Sequence, residues 1–304
     1  MVMHFWNQFI VLTISFLILL TGIISGQQPT DPFSSLPVKY EELTSPEFVE
    51  AVNKSQGTCL IPFGVLEKHG AHLPLGTDLL AVREVALRAA RQEYTIVFPE
   101  YYFGQIFEAK HQPGTMAYSH QTIWNLLQET CDELSRNGIK KIIIVNGHGG
   151  NNNFLRYFGQ VQLEKRRDYA VYLFVPEDDP KTLEQVGKLK KSEFDYHGGE
   201  LETSSMLAHR PDMVHLERAK QESGQDQERL NNLPKSYTGI WWYARFPNHY
   251  AGDGSQANPE IGELLINSKV DQLLQMIRAV KKDTTTIQLQ NRFYDESEQP
   301  VPKK

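Results

Sequence analysis

Apolar runs alternate with segments of helical spacing along most of this 304-residue chain. Continuous apolar runs predict buried strands at 59–66, 94–99, 140–146 and 169–175. Apolar residues three and four positions apart predict helices at 46–54, 79–93, 122–136 and 260–281, and one from the Asn151–Asn153 cap to about 167. Because strands and helices alternate at this spacing, we predict βαβ units that build a parallel sheet with helices on both faces.

The segments between these elements carry less pattern. We predict an irregular stretch at 101–119, a charged surface loop with a helical piece at 176–196 and a polar, mobile insertion at 217–235. Aromatic residues at 241–243 and 246–249 are predicted to wall a pocket. The chain after Asp283 is polar, and we expect it to fray. No linker rich in Pro or Gly divides two cores, so we predict one domain at 27–290 and a polar tail at 291–304.

The first 26 residues differ from the rest of the chain. Residues 9–24 are almost wholly apolar, and polar residues follow from Gln27. This pattern is typical of a secretory signal peptide at 1–26 that is cleaved near Ser25-Gly26. An uncleaved membrane anchor is the alternative, because the apolar run approaches the length that spans a bilayer. We expect the mature chain to be periplasmic or secreted, with membrane contact only if the segment stays uncleaved.

The composition is that of a globular protein, with 22% charged and 40% hydrophobic residues. The formal net charge of −6 argues against a general nucleic-acid-binding protein. Cys59 falls in a predicted strand and Cys131 in a predicted helix. Compartments outside the cytosol permit a disulfide, but two well-separated cysteines do not make a framework. We expect both to pack as small apolar side chains.

Histidines and carboxylates cluster where the first predicted strand meets the following helix. Glu67, His69, His72 and Asp78 all lie in this connection. Residues two apart in an extended chain point to the same side, so Glu67 and His69 can face one point in space. Asp78 falls at a helix N-terminus, where an acidic group is favoured. The connection therefore predicts the nucleus of a metal site.

Two further clusters follow along the chain. His148 comes directly after the third predicted strand, in Asn-Gly-His-Gly-Gly-Asn, and His197 opens a run that contains Glu200 and Glu202. Glycines beside a histidine let it approach a ligand closely. Ligands bind at the carboxyl ends of parallel strands, so one topology brings the strand-end clusters together. Histidine and carboxylate ligands suit Zn²⁺, Mn²⁺ or Fe²⁺, and a bridging carboxylate would hold two ions about 3.5 Å apart.

The remaining candidates are weaker. His72 either supports a ligand from behind or packs locally. His249 is a candidate for the pocket wall because its neighbours are aromatic. We expect Glu200 to be solvated or to support another residue rather than to bind metal. Four other histidines are expected to have no part in the site: His4, His120, His209 and His215.

Together, these motifs resemble those of the creatininase (creatinine amidohydrolase) family. Residues 67–78 are similar to its Glu-x-His-Gly-x-His-Leu-Pro…Asp signature, residues 146–151 to its Asn-Gly-His-Gly-Gly-Asn, and residues 197–204 to its His-x-Gly-x-x-Glu-Thr-Ser. Weaker similarities occur at 113–115 and 252–262, so the resemblance covers about 37–282. It implies a three-layer α/β/α fold with a mostly parallel central sheet and hydrolysis of C–N amide bonds. It also implies a homo-oligomer, commonly a hexamer.

The resemblance further implies two divalent metal ions per chain, with Zn²⁺ favoured and Mn²⁺ or Fe²⁺ as alternatives. Glu67 and His148 would hold one ion and His69 the other, with Asp78 as the bridge. True creatininases supply a further ligand from a glutamate that this chain lacks. Glu202 would replace it as a ligand and catalytic carboxylate.

Departures from the family pattern bear on the substrate. Gly149 and Gly150 stand where true creatininases have a tyrosine, which lines the creatinine pocket, and the ligating glutamate. Glu193-Phe194 stands in place of their Trp-Asp pair. These differences argue against creatinine as the substrate. His197 would keep its family role as the acid/base that protonates the leaving nitrogen.

Three functions are compatible with these motifs. The first is a secreted, metal-dependent amidohydrolase whose partner is a small or cyclic amide. The second is a metallopeptidase for short peptides, which an open pocket beside Trp241 and Trp242 would favour. The third is a non-catalytic protein that captures a metal or small ligand, although the full set of ligand types argues against it. The glycines around His148 match neither GxGxxG nor a P-loop, which excludes a nucleotide-binding enzyme.

Overall fold

A computed structural model describes residues 36–301 of the chain. The predicted signal peptide at 1–26 lies outside the described residues, so its prediction stays open. Between residues 36 and 301, no helix combines the length and the apolarity needed to cross a bilayer. Cys59 and Cys131 are both buried and free of any disulfide.

Four parallel strands form the central sheet: β1 (Thr58–Phe63), β2 (Ile96–Val97), β3 (Lys141–Asn146) and β4 (Ala170–Phe174). Their order is β2-β1-β3-β4. Phe63 at the end of β1 pairs in register with Asn146 at the end of β3. The loops that follow these two strands therefore leave the sheet side by side, which confirms the predicted parallel sheet.

Helices connect and cover the strands. They are α1 (Ser45–Lys54), α2 (Thr77–Gln92), α3 (His120–Arg136), α4 (Asn152–Val161), α5 (Pro180–Leu189), α6 (Glu200–His209), α7 (Trp241–Arg245), α8 (Pro259–Lys282) and α9 (Thr285–Glu298). The first strand is shorter than predicted and stops at Phe63, because the chain then turns into the loop that carries Glu67 and His69. α4 also ends earlier than predicted, at Val161 instead of near 167.

The helices lie on both faces of the sheet. On one face, buried side chains of β1 and β3 pack against α2 and α8, with Leu60, Ile143 and Leu273 in one continuous apolar core. On the other face, Phe63 stacks on Phe154 of α4 at a ring distance of 6.4 Å. Strand residues that alternate in direction fill the two cores, which is how βαβ units produce three layers.

The C-terminal segment corrects one prediction. We expected the polar chain after Asp283 to fray, but residues Thr285–Glu298 form helix α9. Tyr294 is 3% exposed, and its hydroxyl donates to the Gln162 carbonyl oxygen at 2.7 Å. Gln290 donates to the Tyr169 carbonyl oxygen at 2.8 Å. A few contacts hold this polar helix against the rest of the chain. The sequence did not predict the helix because its apolar face is weak.

The strand order places a ligand crevice between β1 and β3. From β1 the chain crosses to β2 on one side, and from β3 it crosses to β4 on the other. Such a reversal of strand order leaves a crevice at the carboxyl ends of the two central strands, where open α/β sheets bind their ligands. The loops that open from this crevice carry the predicted metal-site residues.

Candidate metal centre

The loop after β1 returns its side chains to the sheet edge and then enters α2. Asp78 lies in the first turn of α2, as predicted from its position. Gly198, which precedes α6, has φ +66°, and a Cβ there would lie 3.0 Å from the His69 carbonyl carbon. Only glycine combines this left-handed conformation with so close an approach. The glycine beside His197 therefore lets the third motif pack against the first.

Asp78 lies between two histidines that come from different loops. His69 Nε2 is 3.1 Å from Asp78 Oδ1, and His148 Nδ1 is 2.9 Å from Asp78 Oδ2. The side chains of His69, His148 and Asp78 are all buried. Each carboxylate oxygen thus faces a separate imidazole nitrogen, so Asp78 belongs to two groups of potential ligands.

Glu67 completes the group on the His148 side. Its side chain is fully buried, and its Oε1 lies 2.8 Å from His148 Nδ1 yet accepts no hydrogen bond. Buried carboxylate oxygens without a donor are rare and costly. Glu67, Asp78 and His148 offer ligand atoms that all lie within 4.8 Å of one another. This donor set fits a divalent cation, which would satisfy the bare oxygen.

The His69 side of the centre has a matching group. His69 Nδ1 donates to the Glu67 carbonyl oxygen at 3.3 Å, which leaves Nε2 free to face the site. Glu202 Oε2 lies 3.8 Å from His69 Nε2 and accepts from the Gly198 backbone N–H at 2.6 Å. His69, Asp78 and Glu202 again hold ligand atoms within 4.8 Å. A backbone contact on the second ring nitrogen is the usual way that a metal-binding histidine is oriented.

Charges in the centre are strongly coupled. Burial disfavours the carboxylate of Glu67, but His148 and its neighbours outweigh burial and hold the pKa of Glu67 well below its usual range. Burial likewise opposes protonation of His69, yet the Asp78 carboxylate raises the pKa of His69 to about 10. Burial raises the pKa of Glu202 to about 7. The buried carboxylates thus draw positive charge into the centre, which a divalent cation also supplies.

His197 lies beside this centre. Its Nε2 donates to the Lys68 carbonyl oxygen at 2.8 Å, and its Nδ1 lies 3.9 Å from Glu202 Oε2. Burial, with the nearby positive charge of His69, lowers the pKa of His197 to about 3. The imidazole is therefore neutral near neutral pH, with its Nδ1 lone pair on the side of the site. His197 also has an atom within 4.8 Å of ligand atoms of Glu67 and His69.

The weaker candidates take supporting places. His72 Nε2 donates to Thr203 Oγ1 at 2.8 Å, and this hydroxyl donates to the Gly198 carbonyl oxygen at 3.0 Å. His72 therefore braces the third motif. The Glu200 carboxylate is fully buried and accepts from the backbone N–H groups of Lys191 and Ser192. Because it is buried, Glu200 is not solvated, and its backbone contacts hold the turn before α6.

Two residues of the site carried little or no signal in the sequence. His249, predicted only as pocket wall, is 1% exposed and donates through Nε2 to Glu67 Oε2. Glu108 falls in the stretch predicted to be irregular, and its Oε1 lies 3.9 Å from His148 Nε2. A Cβ at Gly150 would lie 2.7 Å from that same oxygen. Glu108 thus fills the space beside Gly150, where a larger residue would collide with it.

A cavity of about 700 Å³ opens above the centre. Its floor includes Glu67, Asp78, His148, His197 and Glu202, and its wall includes Phe107, Phe154, Tyr196, Tyr237, Trp241 and Trp242. The aromatic patch therefore walls the pocket, as predicted. No atom lies within 4 Å of where a Cβ of Gly149 would stand, so the pocket is open at this position. A cluster of His and carboxylate ligands below an aromatic pocket defines a metal-dependent hydrolase.

Comparisons with known proteins agree with this class. A family profile described as "Creatininase: Creatinine amidohydrolase" matches residues 41–277. Creatinine amidohydrolase of Pseudomonas putida is 31% identical over 191 residues, which are 58% of this chain and 74% of that protein. The mycofactocin precursor peptide peptidase of Mycolicibacterium smegmatis is 31% identical over 161 residues, which are 51% of this chain and 59% of that protein.

Solved structures are similar over most of the described fold. A creatinine amidohydrolase (creatininase) superposes with a TM-score of 0.71 and 26% identity, covering 82% of this chain and all of that one. A mutant creatininase of Zn-Zn type has a TM-score of 0.70 at 25% identity over 82% of this chain and all of that one. A manganese form has a TM-score of 0.67 at 25% identity over 81% of this chain and 99% of that one.

The chain belongs to the creatininase family, whose members are metal-dependent amidohydrolases. The three-layer fold with its parallel sheet matches the creatininase structures, so the fold expected from the motifs is confirmed. The zinc and manganese forms, together with the ligand groups around Asp78, support binding of divalent metal.

Proposed function

We propose that this protein is a secreted amidohydrolase that uses two divalent metal ions to cleave the C–N bond of a small or cyclic amide. One observation carries the proposal: the two oxygens of Asp78 face His69 and His148 at 3.1 and 2.9 Å from opposite sides. Glu67 with His148 would hold one ion, and His69 with Glu202 the other. When bound, such ions lower the pKa of water and polarise the amide carbonyl.

The protein's own groups handle the proton. The neutral His197 imidazole accepts a proton from the attacking water at Nδ1, while its Nε2–H stays bonded to the Lys68 carbonyl oxygen. It then passes that proton to the amide nitrogen as the C–N bond breaks, so the amine leaves neutral and the ring is regenerated. The Lys68 contact holds the ring in one orientation for both transfers.

The pocket above the centre sets the range of substrates. Gly149 leaves open space at the position where the family resemblance places the tyrosine of true creatininases. The nearby wall of the pocket is aromatic. These features support a flat or partly apolar amide other than creatinine. Zn²⁺ is the ion we favour, with Mn²⁺ or Fe²⁺ as alternatives, because all three accept mixed His and carboxylate ligands.

A metallopeptidase acting on short peptides is the second candidate. The lining of the pocket includes Tyr196 and Tyr237, which are 70% and 81% exposed, so the pocket reaches the surface on the side where a peptide would enter. The mycofactocin precursor peptide peptidase, a relative, acts on a peptide by its name. A non-catalytic binding role is the weakest alternative. His197 lies beside the candidate ligands as an unprotonated base, which a protein that only binds a ligand does not need.

The compartment and assembly are also proposed. The apolar run at 9–24 supports export to the periplasm or medium, where a small amide from outside would be met first. Family resemblance supports a homo-oligomer, with a hexamer as the expected form. Size-exclusion chromatography with light scattering and N-terminal sequencing of the exported protein test these two points.

Purified protein loaded with Zn²⁺ or Mn²⁺ and offered a panel of amides tests the proposed reaction. The panel contains creatinine, other cyclic amides, formamides and dipeptides, and product amines are measured. We expect turnover of at least one non-creatinine amide, and new amino termini from dipeptides alone would favour the peptidase. Asp78→Asn should lose both turnover and bound metal, whereas Asp271→Asn, at an exposed position of α8, should keep both. Full activity in Asp78→Asn would contradict the proposal.

A further inference from the structure

A second cavity of about 180 Å³ lies on the other side of His148 from the aromatic pocket. It is lined by the ends of β3 and β4 and by side chains of α2, α6 and α8, and it is partly open to solvent. Its lining is about half apolar, and the apolar part includes Val82, Val85, Val145, Phe174 and Ile266. His148 and Gly149 line both cavities, so the two are separated by one layer of the metal-binding loop.

Lys269 of α8 lines this cavity beside the apolar side chains. Burial lowers the pKa of Lys269, and the charges of Glu202 and Asp78 act on it only through space, without a hydrogen bond. Two other lysines with little exposure are paired with carboxylates: Lys68 contacts Glu222 and Lys281 contacts Glu93, each at 2.7 Å. Among residues 36–301, no carboxylate forms an ion pair with Lys269. A partly buried cation without a partner is costly unless a ligand supplies the anion.

Two further polar side chains line the same cavity. Asn152 uses its Oδ1 to accept from Asn146 at 2.9 Å, so its amide N–H groups remain available. Ser205 of α6 is buried at the wall, and its hydroxyl forms no hydrogen bond within the described chain. The cavity thus combines a cation, an amide donor and a hydroxyl with an apolar lining.

We propose that this cavity binds the carboxylate of a small ligand with a short apolar chain, and that Lys269 neutralises it. The carboxylate belongs either to the amide substrate or product of the neighbouring centre, or to a free acid that regulates it. The substrate version rests on the proposed hydrolase function, whereas binding of the carboxylate does not.

Calorimetric titration of the metal-loaded protein with butyrate and with the isosteric butyramide tests the binding. We expect butyrate to bind at least tenfold more tightly than butyramide, and Lys269→Met to remove that preference. Lys188→Met, at an exposed position of α5, is the control and should titrate as the wild type. Because carboxylates also coordinate metals, the same titrations are repeated after chelation, and the dependence on Lys269 should persist. Equal binding of both ligands, or unchanged butyrate binding in Lys269→Met, overturns the proposal.

Kinetics separates the two sources of the carboxylate. For an amide acid and its uncharged carboxamide analogue, the substrate version predicts that Lys269→Met raises KM about tenfold for the acid alone. Competitive loss of rate with free butyrate, equal for both substrates, indicates a free acid. If neither amide is cleaved, the proposed hydrolase function fails while the titration still decides the binding site. Lower metal content in Lys269→Met would show that the lysine only balances Asp78 and Glu202, and would also overturn the proposal.

A separate observation concerns His249, behind Glu67. Trp242 Nε1–H donates to His249 Nδ1 at 2.9 Å, so the ring proton of His249 must lie on Nε2, which donates to Glu67 Oε2. His249 has φ 51°, a left-handed conformation uncommon for a residue with a side chain. Such conformations persist where the surroundings hold them, often at functional sites.

We infer that Trp242 and His249 are positioning residues that fix Glu67 for metal binding. With Oε2 held by His249, Glu67 presents Oε1 to the centre, where it lies beside His148 and has no donor. Trp242 acts one step further back, because its N–H selects the His249 tautomer that can donate. The inference rests on the proposed role of Glu67 as a ligand.

Metal affinity, measured by competition with a chelator and by ions bound per chain, tests this inference. We expect His249→Ala to weaken one of two ions about 10- to 100-fold. His249→Gln, which keeps an N–H donor near the same place, should recover part of the loss. Trp242→Phe should weaken the same ion less strongly, whereas the matched Trp241→Phe should not. Wild-type metal affinity in His249→Ala, or equal affinities in the two Trp variants, would overturn the inference. Neither result would contradict the proposed role of Asp78 as a ligand.

Discussion

The residues of the centre have two kinds of role, metal binding and proton transfer. Asp78 uses both carboxylate oxygens towards His69 and His148, so it can belong to two ligand groups at once. His197 differs, because burial and neighbouring positive charge keep its imidazole neutral and its Nε2–H is held by the Lys68 carbonyl. A neutral histidine with one free nitrogen is suited to proton transfer rather than to charge pairing.

Replacing His197 with glutamine should separate these two tasks. The amide can still contact the Lys68 carbonyl, but it cannot accept and return a proton. We expect kcat to fall about 10²- to 10⁴-fold while the number of bound ions stays the same. Steady-state kinetics with metal analysis of the same sample checks this. Loss of an ion together with activity would place His197 among the ligands instead.

The residue scale also shows where sequence motifs stop being informative. Glu67, His69, Asp78, His148, His197 and Glu202 were all predicted, and the structure brings them together. Their motifs are local and sit beside glycines at strand ends. His249 and Glu108 come from loops with no recurrent spacing, and Lys269 from a long amphipathic helix. Only the folded chain shows that His249 and Glu108 lie in the centre and that Lys269 lines a cavity beside it.

Helix α8 holds one face of the sheet. Leu273 is fully buried in the core that joins α8 to α2, β1 and β3. Leu273→Ala should lower the free energy of unfolding by about 2–5 kcal/mol, because the cavity cannot close fully. Urea unfolding followed by circular dichroism measures it. The exposed Leu289→Ala on α9 is the control, and a change below about 0.5 kcal/mol is expected there.

Helix α9 depends on a few contacts instead of a broad apolar face. Tyr294→Phe removes the hydroxyl that satisfies the Gln162 carbonyl oxygen. We expect the free energy of unfolding to fall by about 1–3 kcal/mol, since the carbonyl is left without a donor. Tyr237→Phe, at a residue 81% exposed, should change it little. Equal effects of the two substitutions in urea titrations would show that the docking of α9 does not need this bond.

At the scale of the whole molecule, metal binding should couple to folding. The buried carboxylates of Glu67 and Asp78 repel each other, and one oxygen of Glu67 has no donor. Each ion at 100 times its dissociation constant adds about 2.7 kcal/mol to the stability of the folded state. Removal of both ions by chelation should therefore lower Tm by about 10–20 °C.

Differential scanning calorimetry with and without chelator measures this shift. Restored Zn²⁺ or Mn²⁺ should restore Tm, and Asp78→Asn should show no dependence on either ion. If chelation removes the metal from the wild type but leaves its Tm unchanged, the centre does not need ions for its stability.

The sequence by itself determined the strands, most of the helices and the candidate ligands that the fold brings together. Continuous apolar runs require burial on both faces, and histidines and carboxylates beside glycines have few other uses at strand ends. The resemblance to the family motifs added a prediction of which ion each candidate ligand would hold. These features are local, so they can be read without knowledge of the folded chain.

Tertiary structure decided the rest. The sequence could not show that α9 docks through Tyr294, that Glu108 occupies the space beside Gly150, or that Trp242 and His249 stand behind Glu67. Nor could it show that Lys269 of α8 lines a cavity beside His148 and forms no ion pair with any residue of 36–301. Each of these depends on contacts between residues distant in the chain, and their energies come from packing and burial that only the complete fold creates.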